Sequence, residues 1–505
     1  ELGMSGKSVA SLLALSAATV LGAAGEGGLE AVRALKIENG VIQRAETVAD
    51  SAFIDRDGRE HRKLPPRTVV RLLLRPAEGS NINVEIWLPA AERWNGRFLG
   101  LGNGGAAGSI NPAVFIGPLR SGYAAATTDM GTAPNADSGI GNKEVWKDFG
   151  YRATHLMTVA AKRVVRAYYG REPEFSYFSG GSTGGQQALQ EAQRYPEDYD
   201  GILAQVPAHC RTPLHAYFLW NYRIFRECPF TEAQEANVIA AGNEYMASRE
   251  LPQTAGKLVS DPRCTPQDIE AVVALALKKD PTLTAKHAEA LRRLFGGPVH
   301  AVTGERIFDG LPFGSAFGIA RGNLYLFHWV FGKERDLMTI DFGKDIDTYT
   351  AELGPYLNAD NPDLRAFERR GGKLIMVSGS TDSCVPYHAS LDYYERVAEL
   401  FGSPERVREF CRFYIVPGMS HGPGPGVNRL PDLLKLVVEW RELGTAPEGL
   451  AGRRYEGDRP VFEIPVYPYP EKAVYDAQRR EFRKISGPRG GVGRVAERFL
   501  PPAEE

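Results

Sequence analysis

A serine, an aspartate and a histidine in this chain have the types, order and neighbours that nucleophilic attack on a carbonyl requires. Ser182 lies in the G-x-S-x-G pentapeptide Gly180-Gly181-Ser182-Thr183-Gly184. Phe175 to Ser179 before it read as a short buried strand, and Gly185 to Ala192 after it as a helix that stops near Pro196. Strand, sharp turn and helix make the elbow that lifts a serine hydroxyl above a sheet edge. Such a hydroxyl is a weak nucleophile until a base takes its proton, and the base needs an acid to orient it. Where elbows occur, the chain order is serine, acid, histidine. The apolar strand Lys373 to Val377 runs into a loop holding Asp382, and the strand ending Tyr414-Ile415-Val416 runs into one holding His421. Both residues therefore stand just past strand carboxyl ends. His388 is the rival base, but no strand ends before it and helical sequence follows, so a place in the pocket lining suits it better.

An oxyanion needs two backbone N–H groups. Thr183, directly after the serine, supplies one. The loop Asn103-Gly104-Gly105, which follows an apolar strand over Arg97 to Gly102, supplies the other through Gly104 or Gly105. The same loop matches G-x-G-x-x-G in several registers, yet no acidic residue or helix start follows as a dinucleotide site demands.

The elements that must hold these residues alternate in type. Val69 to Leu74, Asn83 to Leu88 (alternating, hence half-exposed) and Gly122 to Asp129 read as strands, and residues 150–169 as a long amphipathic helix. After Ala208 the texture turns helical and aromatic, with Lys286 to Phe295 a helix closed by Gly296-Gly297. Strand–loop–helix texture returns at Gly371. The fold class is therefore α/β, a hydrolase-type sheet with a large inserted lid. The expected division is an N-terminal segment 1–29, a first core part 30–208, a lid 209–340, a second core part 341–484 and a tail 485–505. Within the lid, Tyr217, Phe218, Trp220, Tyr222, Phe225, Tyr325, Phe327, Trp329 and Phe331 could stack on an aromatic group, but at helical spacing most belong to the lid's own core. Arg211, Arg223, Arg321 and His328 are candidates for meeting a substrate carboxylate, and the sequence singles out none.

Composition narrows the partners. A net charge of −2 over 505 residues gives no case for nucleic acid or an anionic membrane. The nine histidines show no H-E-x-x-H and the five cysteines no C-x-x-C, so neither a metal nor another cofactor is expected. Cys210, Cys228, Cys264, Cys384 and Cys411 make no disulfide framework, although Cys210 and Cys228 could pair. Glu1, Leu2 and Gly3 before Met4 read as an added remnant. Val9 to Ala24 is apolar and rich in small residues, fitting either a weak signal peptide or a helix packed on the core.

At this point the chain resembles the tannase and feruloyl esterase family. The likeness runs from about residue 40 to 475. It is carried by Trp94-Asn95-Gly96-Arg97-Phe98, Gly102-Asn103-Gly104-Gly105, Tyr151-Arg152-Ala153 with His155, and Glu191 through Gly201. Later blocks are Gly371 through Ile375, Asp382 with Val385-Pro386, Asp392 through Val397, and Tyr467-Pro468-Tyr469-Pro470. The resemblance places the family's catalytic serine, aspartate and histidine on Ser182, Asp382 and His421. It implies hydrolysis of a small-molecule ester, usually of an aromatic acid, through an acyl-enzyme beneath the lid.

Three departures stand out against that family. Cysteines expected beside the serine and the histidine are Gly181 and Ser420 here, so the disulfide tying the two loops is gone. The acidic calcium loop of the lid is missing around Gly242 to Met246 and Ser260 to Cys264, which puts calcium in doubt. The cysteine before the Tyr-Pro-Tyr-Pro stretch is replaced at or near Val466. These losses favour a cytoplasmic enzyme over a periplasmic or secreted one. They also leave room for an acyltransferase or a lactone or thioester hydrolase using the same triad, or for an inactive binding protein on this scaffold.

Overall fold

The computed structural model describes residues 27–49, 52–55, 58–249, 265–318, 323–422, 424, 426–476 and 478–486. The apolar stretch Val9 to Ala24, Cys264, Arg321 and residues 487–505 of the expected tail lie outside the described residues.

Nine strands of the described residues share one sheet. They are β1 (Gly40–Val48), β2 (Arg67–Leu74), β3 (Ile82–Pro89), β4 (Arg97–Leu101), β5 (Ala124–Thr128), β6 (Phe175–Gly181), β7 (Gly201–Gln205), β8 (Lys373–Gly379) and β9 (Cys411–Val416). Their spatial order is β1-β2-β3-β5-β4-β6-β7-β8-β9. The pairs from β1 to β5 are antiparallel, and every pair from β5 to β9 is parallel. Strand order reverses at β4, because β5 lies on one side of it and β6 on the other. A crevice must open there, at the carboxyl ends of β4 and β6, which is where open α/β sheets bind ligands.

Parallel strands are covered on both faces, so their side chains alternate between two cores. Phe98, Phe178, Leu374, Met376 and Phe413 join one apolar cluster; Leu99, Tyr177, Ile375, Val377 and Tyr414 join the other. The first face is covered by α1 (Ala153–Tyr169) and α2 (Thr183–Arg194), the second by the helix Leu433–Leu443 through Leu433, Val437 and Trp440. β3 departs from its half-exposed expectation. Glu85 is buried, accepting from Trp87 Nε1 at 2.7 Å and from the exposed Arg71 Nε at 2.8 Å, so a polar residue in the alternation marks a covered carboxylate and not an open face.

Between β7 and β8 lie α3 (Arg211–Glu227), α4 (Glu232–Arg249), α5 (Pro266–Lys279), α6 (Ala285–Gly296), α7 (Tyr325–Phe331) and α8 (Lys344–Leu357). α3 to α6 enclose an apolar cluster of their own, containing Phe218, Ile224, Val272, Leu291, Phe308 and Phe313, whereas α7 and α8 pack into the cluster shared with the sheet. Tyr217 and Phe218 are buried as packing of the helical layer, but the buried Phe327 and Trp329 belong to the core shared with the sheet and not to a core of the insertion alone. Cys210 and Cys228 are both free thiols. They flank α3 at opposite ends, about 27 Å apart at 1.5 Å per residue, far beyond the ~5.5 Å between Cα atoms of a disulfide.

Candidate active site

Ser182 sits between the end of β6 and the start of α2 with φ 60° and ψ −117°, a conformation that residues with a β-carbon avoid. That strain is the signature of the elbow. Neighbouring backbone over-determines it: Ser182 N donates to Gln205 O at 3.0 Å, and Ala208 N donates to Ser182 O at 3.0 Å. Gly180 is required here, since a β-carbon would collide with the backbone of Gly184.

The structure brings His421 and Asp382 to this serine. His421 Nε2 lies 3.2 Å from Ser182 Oγ, and His421 Nδ1 lies 2.8 Å from Asp382 Oδ2. Asp382 is fully buried, and its other oxygen accepts from the backbone N–H groups of Cys384 and Val385 at 2.8 and 2.9 Å. Burial by itself lowers the basicity of the His421 imidazole. The hydrogen bond and negative charge of Asp382, helped by the Cys384 side chain, outweigh it and push the group up to about 10. An imidazolium forming at this position is thus strongly stabilised.

The loops carrying the acid and the base are joined without a bridge. Gly418 N donates to Ser380 Oγ at 2.8 Å, while Thr381 donates to Met419 O through its backbone at 3.2 Å and its hydroxyl at 3.1 Å. Gly379 allows this approach, because a β-carbon there would meet the Met419 carbonyl. Beyond His421, Arg454 donates to the carbonyls of Gly424 and Gly426.

Thr183 is the first residue of α2, where helical N–H groups have no intrahelical acceptor and the helix end is partially positive. Opposite it stands the loop after β4. Asn103 O accepts from Gly184 N at 2.7 Å, Asn103 N donates to Gln187 Oε1 at 2.8 Å, and Thr183 Oγ1 donates to Gly105 O at 2.6 Å. Among the described residues the N–H groups of Thr183, Gly104 and Gly105 have no protein acceptor, and a β-carbon on Gly104 or Gly105 would meet open space.

Other candidates fall elsewhere. His388 opens the helix α9 (His388–Phe401), 4.1 Å from the Tyr387 ring, and the bond to Ser182 is made by His421. Arg223 donates to Ile340 O and His328 lies 3.3 Å from Gly332 O, so both serve the backbone of the helical layer. Two clusters have ligand-type atoms within 4.8 Å of one another, His209 with Cys210 and Asp360, and His155 with Glu191 and Asp198. In each the histidine already bonds its aspartate, at 2.5 and 2.7 Å, and neither includes a triad residue.

The family model described as tannase and feruloyl esterase matches residues 68–325 and 317–484. The chain belongs to the tannase and feruloyl esterase family. As a member it is a carboxylic ester hydrolase with the tannase and feruloyl esterase fold. It is 30% identical to an uncharacterized esterase of Xanthomonas campestris pv. campestris, covering 90% of this chain and 91% of that one. It is 29% identical to feruloyl esterase B of Aspergillus niger, over 76% of this chain and 79% of the relative. In three dimensions it is similar to feruloyl esterase B from Aspergillus oryzae, with TM-score 0.76, 22% identity and 91% and 100% of the two chains covered. Tannin acyl hydrolase from Aspergillus niger matches with TM-score 0.73 at 18% identity, covering 91% of this chain and 94% of that one.

Within this esterase, sequence reasoning did not foresee the staple of Ser380 and Thr381 on the His421 loop. Nor did it separate Arg211 from the other candidate cations. No local pattern marks either, since each contact joins distant segments of chain. Among the described residues no helix is long and apolar enough to cross a membrane.

Proposed function

We propose that this family member hydrolyses esters of aromatic carboxylic acids through an acyl-enzyme on Ser182. The observation that carries the reading is the hydrogen-bonded relay from Ser182 Oγ through His421 to a buried Asp382, at 3.2 and 2.8 Å, on a strained elbow. Ser182 Oγ bonds to the ester carbonyl carbon as its proton passes to His421 Nε2. The carbonyl oxygen becomes an alkoxide held by the N–H of Thr183 and by Gly104 or Gly105. Collapse of that intermediate breaks the carbon–oxygen bond to the alcohol, which leaves with the proton from His421. Water then repeats the sequence and frees the acid. Asp382 holds the imidazole in the right tautomer and stays ionised throughout.

The aromatic acid is supported by the names of the relatives, which are feruloyl esterases and a tannin acyl hydrolase. A reducing compartment belongs to the same reading, supported by the free thiols of Cys210, Cys228, Cys384 and Cys411. The test is hydrolysis of p-nitrophenyl acetate, methyl ferulate, methyl gallate and an aliphatic lactone by the wild type and by Ser182→Ala. Turnover of the two aromatic esters that vanishes in the variant is the expected result. Ser182-dependent turnover confined to the activated ester or the lactone would remove the aromatic acid and keep the nucleophile. Turnover that persists in Ser182→Ala would overturn the mechanism.

A further inference from the structure

Arg211 is a buried cation whose setting differs from that of three other largely buried arginines. Arg152, Arg396 and Arg412 each have a carboxylate oxygen within 3.1 Å, from Asp148, Asp392 and Glu448 respectively. Arg211, only 2% exposed, has no carboxylate partner among the described residues. Its Nη2 instead donates to three neutral oxygens: Gly105 O at 3.2 Å, Thr183 Oγ1 at 3.1 Å and Tyr325 Oη at 2.6 Å. The Phe149 ring, its centroid 5.3 Å from the guanidinium carbon, offsets part of the cost of a buried charge with no carboxylate partner, and the rest calls for an interaction that uses it.

The three acceptors say what that interaction is. Gly105 belongs to the loop after β4, Thr183 opens the helix after the nucleophile, and Tyr325 begins α7 in the helical layer. The first two are the segments assigned to the oxyanion. Gly105 O also accepts the Thr183 hydroxyl at 2.6 Å and lies 3.5 Å from Tyr325 Oη, so one carbonyl is held from three sides. Holding that carbonyl restrains ψ of Gly105, a glycine with φ +57° whose backbone no side chain of its own restricts. The guanidinium also touches Gly105 and Thr183, two of the residues whose N–H groups are assigned to the oxyanion. In so dry a setting a fixed positive charge acts strongly on an alkoxide and little on the neutral ester.

We propose that Arg211 is a positioning residue of the oxyanion site, clamping Gly105 and Thr183 and lending its unpaired charge to the alkoxide. This rests on the acyl-enzyme reading above. It also gives the helical layer a chemical role, because α3 supplies Arg211 and α7 supplies the Tyr325 hydroxyl that steadies it.

The experiment compares wild type with Arg211→Met, Arg211→Lys, Tyr325→Phe and Ser182→Ala. The readouts are steady-state hydrolysis of p-nitrophenyl acetate, inhibition by a phenyl trifluoromethyl ketone, and thermal melting. The ketone forms a hemiketal alkoxide on the serine and so reports the oxyanion site directly. Arg211→Met is expected to lower kcat by about 10- to 100-fold with KM within about twofold, somewhat less than loss of a direct oxyanion donor. The ketone should weaken by the same factor, and Arg211→Lys should recover part of both. A folded Arg211→Met protein with wild-type kcat, or one whose kcat falls while the ketone binds unchanged, overturns the proposal. If Arg211→Met does not melt cooperatively, Tyr325→Phe decides: a parallel, smaller loss of kcat and of ketone affinity supports the clamp, and no change refutes it. Persistent turnover in Ser182→Ala would instead remove the acyl-enzyme reading, which keeps the two failures apart.

Discussion

At the residue scale the His421 imidazole governs pH dependence. To accept the Ser182 proton it must be neutral in the free enzyme, so kcat/KM rises with pH as that proton leaves. Burial alone would set the rise below the ordinary imidazole value, but Asp382 and Cys384 reverse the sign and raise it. The acid limb is therefore expected at higher pH than the ~6.5 of a free imidazole. Asp382→Asn removes the charge, so it should move the limb toward lower pH and reduce kcat by about ten-thousand-fold, as in other triads. A kcat/KM profile of both proteins checks this, and an unmoved limb would sink the electrostatic account. Ser182, Asp382 and His421 were legible in the sequence because each closes its own strand, and an apolar strand followed by a polar loop is a local pattern. Arg211 was not, because its meaning lies in contacts with Gly105, 106 residues earlier, and Tyr325, 114 residues later.

At the element scale the question is how the loops after β8 and β9 keep Asp382 and His421 in register. Gly181 and Ser420 offer no thiols, and the hydrogen bonds from Gly418 and Thr381 do the joining. Dithiothreitol should accordingly leave esterase activity unchanged. Ser380→Ala strands the buried Gly418 N–H, which costs about 1–3 kcal/mol. It should lower both the melting temperature and kcat, since a small displacement of His421 lengthens the bond to Ser182. Melting curves and kinetics in the presence and absence of reductant test both halves. A reductant-sensitive enzyme, or Ser380→Ala with wild-type kcat, would show that something other than this staple sets the geometry. Of the parallel strands, β4, β5, β6, β8 and β9 were readable in the sequence as apolar runs, whereas β7 (Gly201–Gln205) was not recognised. β3 was misjudged because a carboxylate covered by Trp87 and Arg71 cannot be distinguished from a solvated one by alternation alone.

At the scale of the whole molecule, one buried carboxyl group links folding to pH. Glu191 on α2 is completely enclosed, close to Asp198, and its carboxyl is raised well above 4.5 by burial and then by the charge of Asp198, with the Lys162 charge opposing. The folded protein therefore retains a proton that the unfolded chain releases. A raised carboxyl contributes its full stability below the unfolded value near 4.5, and that contribution is lost progressively as pH climbs toward the folded value. Glu191→Gln cannot ionise, so its folding carries no such dependence. The melting temperature of Glu191→Gln minus that of the wild type should grow more positive between pH 5 and pH 9. Titrating groups remote from Glu191 cancel in the difference. His155, which bonds Asp198 at 2.7 Å and lies against Tyr195, holds the far side of the cluster in both proteins. A difference that stays flat across that range would mean that Glu191 is already ionised in the native state. The enclosed charge would then have to be balanced by Lys162, and Lys162→Met should destabilise the fold more at pH 9 than at pH 5.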